Sequence, residues 1–287
     1  MLRGYLELLR PANVVTAIAD VLAGYAVAGR SHPQALPWLV GATMCLYAGG
    51  VVLNDFFDRR LDATERPERP IPSGRVAAGS AAALGTTLLV AGVAAASQAT
   101  RDALFVAVAI AAFVVLYDAR TKRHPVAGPI NMGLCRGLNL LLGVGAVPAA
   151  VWDRWPIGLF ALVYIAAVTA VSRGEVHGGR TVVATVALIS LGGVVLGLLW
   201  LVAGATTGRI AGIVLVAALA YRVLPPYWRV VKDPRPAVIR GAVKAGVLSL
   251  VLVDSAISAS FAGPLYAAAV LVTGLVAGAL ARLFSVT

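Results

Sequence analysis

Charged residues are scarce in this chain of 287 residues. They make up 13% of it, whereas an average soluble domain carries about 25%. Hydrophobic residues make up 60%, which excludes an ordinary soluble domain with its usual share of about 45–50%. A disordered chain is excluded too, because it needs low hydrophobicity and high charge. The composition therefore predicts a polytopic membrane protein.

Cysteine and histidine are rarer still, with two and three residues. Cys45 and Cys135 lie far apart in apolar runs, without a Cys-x-x-Cys spacing. We interpret both as small buried hydrophobic residues rather than as a disulfide or metal pair. The three histidines are scattered through the chain, so the sequence does not indicate a zinc site.

Apolar runs fill most of the sequence. A helix needs about 20 mostly apolar residues to cross a bilayer, and ten stretches qualify as candidates. They are 13–29, 36–55, 77–98, 103–118, 126–149, 156–173, 181–203, 208–228, 241–261 and 264–282. The strands of a membrane barrel would alternate in hydrophobicity, which these runs do not. We predict an all-α fold, a polytopic transmembrane helical bundle of about nine to ten helices, forming one domain over residues 1–287.

Basic residues are distributed unevenly among the connections. If the termini and every second connection share one side, that side holds 19 of the 24 basic residues, the other side holds 4, and Arg136 lies inside the fifth run. The positive-inside rule makes the richer side cytoplasmic. The net charge of +11 is thus explained by topology and requires no nucleic-acid partner. We expect a retained first helix, cytoplasmic termini and a location in the plasma (inner) membrane.

Acidic residues cluster at the end of the second run. Asn54, Asp58 and Asp62 are spaced i, i+4, i+8, and Asp55 lies on the same side of a helix. Charges within an apolar span are costly, and carboxylates this close repel one another unless a cation lies among them. Mg²⁺ binds through a few carboxylates, several waters and substrate phosphates. The spacing therefore predicts a Mg²⁺–diphosphate site.

Basic side chains follow this cluster on the same predicted side of the membrane. They are Arg66, Arg69 and Arg75 in a proline-rich loop, and Arg120, Lys122 and Arg123 after the fourth run. Guanidinium groups match phosphate oxygens in a bidentate manner. The plainer alternative is a solvated loop of mixed charge at a helix end, but such a loop would not begin with acids inside an apolar run.

One segment closely resembles the first Asp-rich motif of the UbiA superfamily of membrane prenyltransferases. It comprises residues 54–62 with Arg66, Arg69-Pro70 and Ser73-Gly74. Arg10-Pro11-Ala12-Asn13 resembles that family's opening to helix 1, and Tyr117, Lys122-Arg123, Asn131 and Gly133 resemble its connection between helices 4 and 5. The similarity covers residues from about 10 to 260. The final segment, 282–287, and the sequence of the second half resemble the EboC-like branch.

The resemblance implies nine helices around a central cavity that Asp-rich loops cap on the cytoplasmic side. It implies an enzyme that binds a prenyl diphosphate through Mg²⁺ in the lipid membrane, ionises it and prenylates a lipophilic, often aromatic, acceptor. The predicted metal ligands are Asn54, Asp55, Asp58, Asp62 and Glu175. The predicted substrate-binding residues are Asn13, Arg66, Arg69, Lys122, Arg123, Asn131 and Arg173, and the predicted catalytic residues are Asp55, Asp58 and Asp118.

The segment after the sixth run departs from the family pattern. It reads Ser172-Arg173-Gly174-Glu175-Val176-His177-Gly178-Gly179-Arg180, where the resemblance implies a second group of aspartates. Only Glu175 can replace one of them, and a lone loop histidine such as His177 is more often neither ligand nor base. Arg173 and Arg180 can hold phosphate charge there. The departure indicates one metal fewer, a different leaving group or a non-catalytic role.

Three interpretations stay open. Asp118 is either a general base for the acceptor or the partner of Lys122 one turn on. Polar residues within the runs, namely Asn13, Asp20, Asn131, Asn139 and Asp254, either belong to a functional site or bond neighbouring helices. The whole chain is either the enzyme described above or a carrier of a lipid-linked or phosphorylated small molecule that uses the same cavity without catalysis.

Overall fold

Twelve α-helices make up most of the computed structural model, which describes residues 2–283. They are α1 (Leu2–Leu9), α2 (Pro11–Val27), α3 (Leu36–Glu65), α4 (Ala78–Ala99), α5 (Arg101–Ala119), α6 (Ala127–Val144), α7 (Ala150–Arg154), α8 (Gly158–Ser172), α9 (Thr181–Ala203), α10 (Arg209–Lys232), α11 (Pro236–Ala262) and α12 (Pro264–Leu283). Short 3₁₀ turns lie at Pro33–Ala35, Thr121–Arg123 and Trp155–Ile157. The all-α prediction is confirmed.

Ten of these helices, all except the short α1 and α7, coincide with the ten apolar runs. The resemblance implied nine helices, and α12 is the tenth within the described part of the chain. It packs against α2, where the Tyr266 hydroxyl donates a 2.9 Å hydrogen bond to the Leu22 carbonyl oxygen. Seven of the described helices are long and apolar enough to cross a membrane. Residues 284–287, part of the C-terminal resemblance, lie outside the described residues.

Two helix ends differ from the apolar runs. Helix α3 continues ten residues beyond 55, to Glu65, because no glycine or proline interrupts it before Pro67. Helix α6 ends at Val144, five residues before the end of the fifth run, with Gly145 as its cap and Pro148 beyond it. Hydrophobicity indicates which residues lie in lipid, whereas these two helices end where glycine or proline interrupts the backbone.

Glycine permits the closest helix crossing. A Cβ atom on Gly24 of α2 would overlap the carbonyl oxygen of Leu140 in α6, and one on Gly143 of α6 would overlap the carbonyl oxygen of Val21. Backbones can approach this closely only where the side chain is missing, which is the usual role of small residues in membrane bundles. The crossing fixes α2 against α6. Both cysteines are free and half-buried.

The connections meet at two opposite ends of the bundle. At one end, the start of α2 contacts the second half of α3 through Arg10 and Asp55, and the 121–123 turn contacts Arg173 after α8. At the other end, Arg154 bonds the carbonyl oxygen of Val27, and Thr100 donates to the carbonyl oxygen of Gly145. The acidic cluster and the basic loops that follow it therefore lie at the same end.

Candidate functional site

The acidic face of α3 divides into two halves. A helix turns by about 100° per residue, so Asn54 and Asp58 lie about 40° apart, and Asp62 and Asp55 lie about 20° apart on the neighbouring side. The segment is helical, as the spacing predicted. Each half meets its own cationic side chains, so the four residues form two adjoining clusters rather than one quartet.

The first cluster contains Asp55, Asp62, Arg10 and Arg69. Arg69 Nη1 lies 2.8 Å from Asp62 Oδ2 and 3.4 Å from Asp55 Oδ1. Arg10 Nη2 donates a 2.6 Å hydrogen bond to the same Asp55 oxygen. Both carboxylates are buried, so these cations offset a charge that is costly to desolvate. One guanidinium thus bridges two carboxylates that the sequence assigned to a metal.

Arg10 was not among the predicted site residues. It precedes Pro11 at the start of α2 and adopts a left-handed backbone conformation, with φ 44°. A non-glycine residue in this conformation stores strain of roughly 1–2 kcal/mol, which the surrounding structure must impose. The sequence signal was the Arg10-Pro11 pair in the segment that resembles the family's first helix. The contact with Asp55, 45 residues away, was not readable from spacing.

The second cluster contains Asn54, Asp58, Asp118 and Lys122. Lys122 Nζ lies 2.6 Å from Asp58 Oδ1 and 3.8 Å from Asp118 Oδ1. The Asn54 amide donates a 2.7 Å hydrogen bond to Asp118 Oδ1. Asp118 therefore makes the contact with Lys122 that one of its two interpretations required. Its role as a general base stays a prediction.

Asn131 and Arg173 hold the turn that carries Lys122. The Asn131 amide donates a 2.9 Å hydrogen bond to Thr121 Oγ1. Arg173 donates to the carbonyl oxygens of Lys122 and Arg123, at 2.8 and 2.9 Å. We predicted both residues as direct substrate ligands, and in this structure their polar groups contact the protein backbone or Thr121. Their contacts fix the position of the basic turn beside α3.

A cavity of about 360 Å³ opens beside the second cluster. Its walls come from the end of α3, the 121–123 turn and the end of α8. The lining residues are Asn54, Asp58, Leu61, Tyr117, Lys122, Arg123, Gly128, Thr169, Ser172 and Arg173. Thr169 and Ser172 were not predicted as site residues, although their i, i+3 spacing beside Arg173 places both hydroxyl groups on one side of a helix. The cavity combines cations, hydroxyl groups and apolar surface.

Three predicted site residues are not joined to either cluster. Within the part of the chain whose side chains are described, no hydrogen bond or ion pair links the side chains of Asn13, Arg66 or Glu175 to the acids of α3. Glu175 instead lies near two arginines of other segments. Burial raises the pKa of its carboxyl group, while the charges of Arg240 and Arg66 oppose that rise. Arg240 also donates a 3.0 Å hydrogen bond to the Glu175 carbonyl oxygen.

The donor chemistry of α3 suits Mg²⁺. The carboxylates and amide are hard oxygen ligands, and the carboxylates already hold positive charge at three points, Arg10 Nη2, Arg69 Nη1 and Lys122 Nζ. Among the residues that the structure describes, no group of three His, Cys, Asp or Glu side chains forms a ready-made metal site. A metal at this face would therefore need oxygen ligands beyond the protein side chains of either cluster alone.

The sequence of this chain matches a known family. The sequence profile of the UbiA prenyltransferase family matches residues 17–240, which include both clusters except Arg10. The chain belongs to the UbiA prenyltransferase family. The resemblance read from the Asp-rich segment is thereby confirmed at the family level, and the bundle is membrane-embedded like its family. The EboC-like branch is not confirmed.

Named relatives of this UbiA family member share one activity. The digeranylgeranylglyceryl phosphate synthase of Methanothrix thermoacetophila is 39% identical over 150 residues, which cover 51% of this chain and 56% of the relative. The synthase of the same name from Methanopyrus kandleri is 38% identical over 170 residues, or 58% of this chain and 60% of the relative. The chain thus spans little more than half the length of the curated relatives it matches.

Solved structures of UbiA proteins share the fold. A structure of digeranylgeranylglyceryl phosphate synthase in membranes superposes with a TM-score of 0.70 at 22% identity, covering 90% of this chain and 98% of that one. A UbiA homologue from Archaeoglobus fulgidus, bound to DMAPP and Mg²⁺, gives 0.56 at 18% identity, covering 94% and 99%. At these identities the likeness establishes the fold and leaves ligands to be argued from this chain's own residues.

Proposed function

We propose that this UbiA family member transfers a prenyl group from a prenyl diphosphate to a membrane acceptor, with Mg²⁺ as cofactor and the whole chain, 1–287, as one domain. The observation that carries the proposal is the acidic face of α3, flanked by Arg10, Arg69 and Lys122 beside a cavity at one end of the bundle. A diphosphate needs metal and cationic side chains together, and this end of the bundle offers both.

The internal ion pairs suit an exchange of partners when the diphosphate binds. Arg69 leaves Asp55 and Asp62 for phosphate oxygens, and Lys122 leaves Asp58 in the same way. The released carboxylates, with Asn54, would hold Mg²⁺, and the ion would supply positive charge to stabilise the departing diphosphate. Arg66 and Arg123 extend the basic surface, Asn131 and Arg173 hold the 121–123 turn in place, and Asn13 is a further substrate ligand. Glu175 would be a weak second-site ligand, since the charges of Arg240 and Arg66 act on its carboxyl group.

The acceptor is a prenylated glyceryl phosphate rather than an aromatic ring. The named relatives support this choice, because their product carries two geranylgeranyl groups on glyceryl phosphate. In this chain, Arg123 and Arg173 line the cavity together with the hydroxyl groups of Thr169 and Ser172. These groups are suited to a phosphate head group that binds beside the diphosphate.

Transfer to a glyceryl hydroxyl requires one bond to break and one to form. The bond between the allylic carbon and the diphosphate oxygen breaks, and the hydroxyl oxygen bonds to that carbon and loses its proton. Asp118 accepts the proton, since its carboxylate lies next to Asp58 across Lys122. Tyr117, Leu61 and Gly128 form less polar parts of the cavity wall and limit water around the reacting carbon.

The site faces the cytoplasm in this proposal, and the protein lies in the plasma (inner) membrane. The excess of basic residues at the site's end supports the orientation, because positively charged connections stay on the cytoplasmic side. Soluble diphosphates and Mg²⁺ then reach the site directly.

The identity of the acceptor is tested by supplying the protein with candidate acceptors. Purified protein in detergent receives Mg²⁺ and geranylgeranyl diphosphate, with either geranylgeranylglyceryl phosphate or a hydroxybenzoate, and products are identified by mass spectrometry. We expect a second ether-linked prenyl group on the glyceryl phosphate. Arg123→Gln raises the KM for this acceptor, whereas Arg229→Gln, an exposed arginine of α10, does not. A product from the aromatic compound alone contradicts the proposal that the acceptor is a glyceryl phosphate. Diphosphate binding without any product favours the carrier interpretation.

A further inference from the structure

Three charged side chains meet inside the bundle, apart from the two clusters at its end. They are Asp20 of α2, Arg136 of α6 and Asp254 of α11, with exposures of 0%, 7% and 0%. Ionisable groups inside a membrane bundle are costly to bury, and they need partners of opposite charge. The proposed prenyl transfer uses none of these three residues.

Asp20 is well bonded on one side of its carboxyl group. Arg136 Nε lies 2.7 Å from Asp20 Oδ2, and the Asn139 amide donates a 2.7 Å hydrogen bond to the same oxygen. Thr43 in turn donates to Asn139 at 2.7 Å. Arg136 also donates to the carbonyl oxygen of Thr16 at 2.8 Å. Asp20 Oδ1, by contrast, is buried and has no hydrogen-bond partner among the described residues.

Asp254 lies beside Asp20 where α11 packs against α2, and it has no hydrogen-bond partner among the described residues. Both of its carboxyl oxygens are buried without a hydrogen-bond donor in the described part of the protein. The adjoining hydroxyl groups of Ser255 and Ser258 are buried and unpartnered in the same region. A buried carboxylate with no donor is among the least favourable groups in a protein. The partner that Asp254 needs is therefore missing from the described residues.

Charge balance identifies what is missing. Two carboxylates and one guanidinium sum to one negative charge, and the other titratable side chains that the structure describes around the triad are phenols. These are Tyr47 of α3, whose ring centroid lies 5.8 Å from Arg136 Cζ, and Tyr164 of α8, whose hydroxyl donates to the Gly246 carbonyl oxygen. Tyr266 of α12 is bonded to Leu22. None of these groups adds a positive charge, so one monovalent cation is needed.

We propose that Asp20 and Asp254 together bind one proton, which forms a carboxylic acid–carboxylate pair in the centre of the bundle. The proton resides on Asp254 and is donated to Asp20 Oδ1, so the unpartnered oxygen of Asp20 and one oxygen of Asp254 satisfy each other. Two carboxyl groups that share a site hold a proton in this way. The bound proton brings the triad to zero net charge and joins α11 to α2 and α6.

Infrared spectroscopy of the full chain in detergent tests the bound proton directly. At pH 8 the wild-type protein should show the carbonyl stretch of a protonated carboxylic acid, shifted in D₂O. Asp254→Asn and Asp20→Asn each leave one carboxylate facing Arg136, so each variant should lose that band. Asp233→Asn, which alters an exposed carboxylate paired with Arg235, should keep it.

Two results would overturn the proposal of a shared proton. One is a wild-type spectrum without a protonated-carboxyl band at pH 8, which needs no variant and so remains decisive if the variants fail to fold. The other is thermal stabilisation of the wild-type protein by sodium chloride over choline chloride that disappears in Asp254→Asn, since sodium would then occupy the pair. The test does not depend on enzymatic activity, so it stands whether or not prenyl transfer is demonstrated.

Discussion

The ammonium group of Lys122 lies 2.6 Å from Asp58 Oδ1. A cation expected to hold phosphate and a carboxylate expected to hold metal thus neutralise each other. The pair is mostly buried, and the side chain of Lys122 is only 12% exposed. If the pair separated, water would not fully solvate either buried charge. Substrate and metal must therefore replace the contact together.

Replacing this lysine should weaken diphosphate binding. Lys122→Met keeps the length and removes the charge, and a hydrogen bond to a charged group contributes about 1.5–3 kcal/mol. We expect the KM for geranylgeranyl diphosphate to rise by about tenfold or more. Lys244→Met, which alters an exposed lysine of α11, is the matched control. Equal KM values in the two variants would remove Lys122 from the phosphate site.

Arg10 combines an ion pair with backbone strain, and two substitutions separate the effects. Arg10→Gln and Arg10→Gly both lose the contact with Asp55. Glycine tolerates the positive φ of 44° at this position, so Arg10→Gly should be the more stable variant by about 1 kcal/mol. Thermal unfolding in detergent measures the difference, and both variants should lose turnover. If Arg10→Gln were as stable as Arg10→Gly, the backbone at this position would not be strained.

The crossing of α2 and α6 should not accept a methyl group. In Gly143→Ala the new Cβ meets the backbone of Val21, which cannot rotate away. Overpacking costs about 1–3 kcal/mol when neighbours can shift, and here we expect at least that loss of stability. Gly192→Ala in α9 is the control, because nothing lies within 4 Å of its Cβ position. Similar melting temperatures for both variants would show that the helices do not approach this closely.

Glu175 should make stability fall as pH rises. Burial raises the pKa of its carboxyl group above the ordinary value of 4.5, with Arg240 and Arg66 opposing the rise. The folded protein therefore keeps a proton that the unfolded chain releases, and stability decreases from about pH 4.5 up to the raised pKa. Glu175→Gln should match the wild-type melting temperature below that window and exceed it above. Glu68→Gln, at an exposed loop position, should show no such trend. A variant less stable than wild type at neutral pH with Mg²⁺ would indicate that Glu175 binds the metal.

Most of the fold could be predicted from the sequence, because long apolar runs leave few alternatives to membrane helices. The spacing of the acids predicted a helix as far as Asp62, but not its end at Glu65, because the segment after the second run mixes polar and apolar residues. The acidic face was predictable from i, i+4, i+8 spacing. Its division between Arg10 and Arg69 on one side and Lys122 on the other was not, because the partners of long side chains depend on the three-dimensional fold.

Contacts between distant helices were the least predictable part. Arg10 and Asp55 are 45 residues apart, and Asn139 and Asp20 are 119 apart. Each residue was noticeable as a polar group near or within an apolar run, but one sequence does not show which helices are neighbours. Asn131 illustrates the consequence, since its amide donates to Thr121 in the folded chain, a contact that the sequence did not indicate.

The central claim is that the carboxylates of α3 hold Mg²⁺ for the ionisation of a prenyl diphosphate. Pyrophosphate released from geranylgeranyl diphosphate by the purified protein tests it most directly, with Mg²⁺ or with EDTA, for wild type and Asp58→Ala. We predict release by the wild type only with Mg²⁺, and loss of release in Asp58→Ala while size-exclusion chromatography shows a folded protein. Undiminished release by Asp58→Ala, or release by the wild type in EDTA, would contradict the metal site.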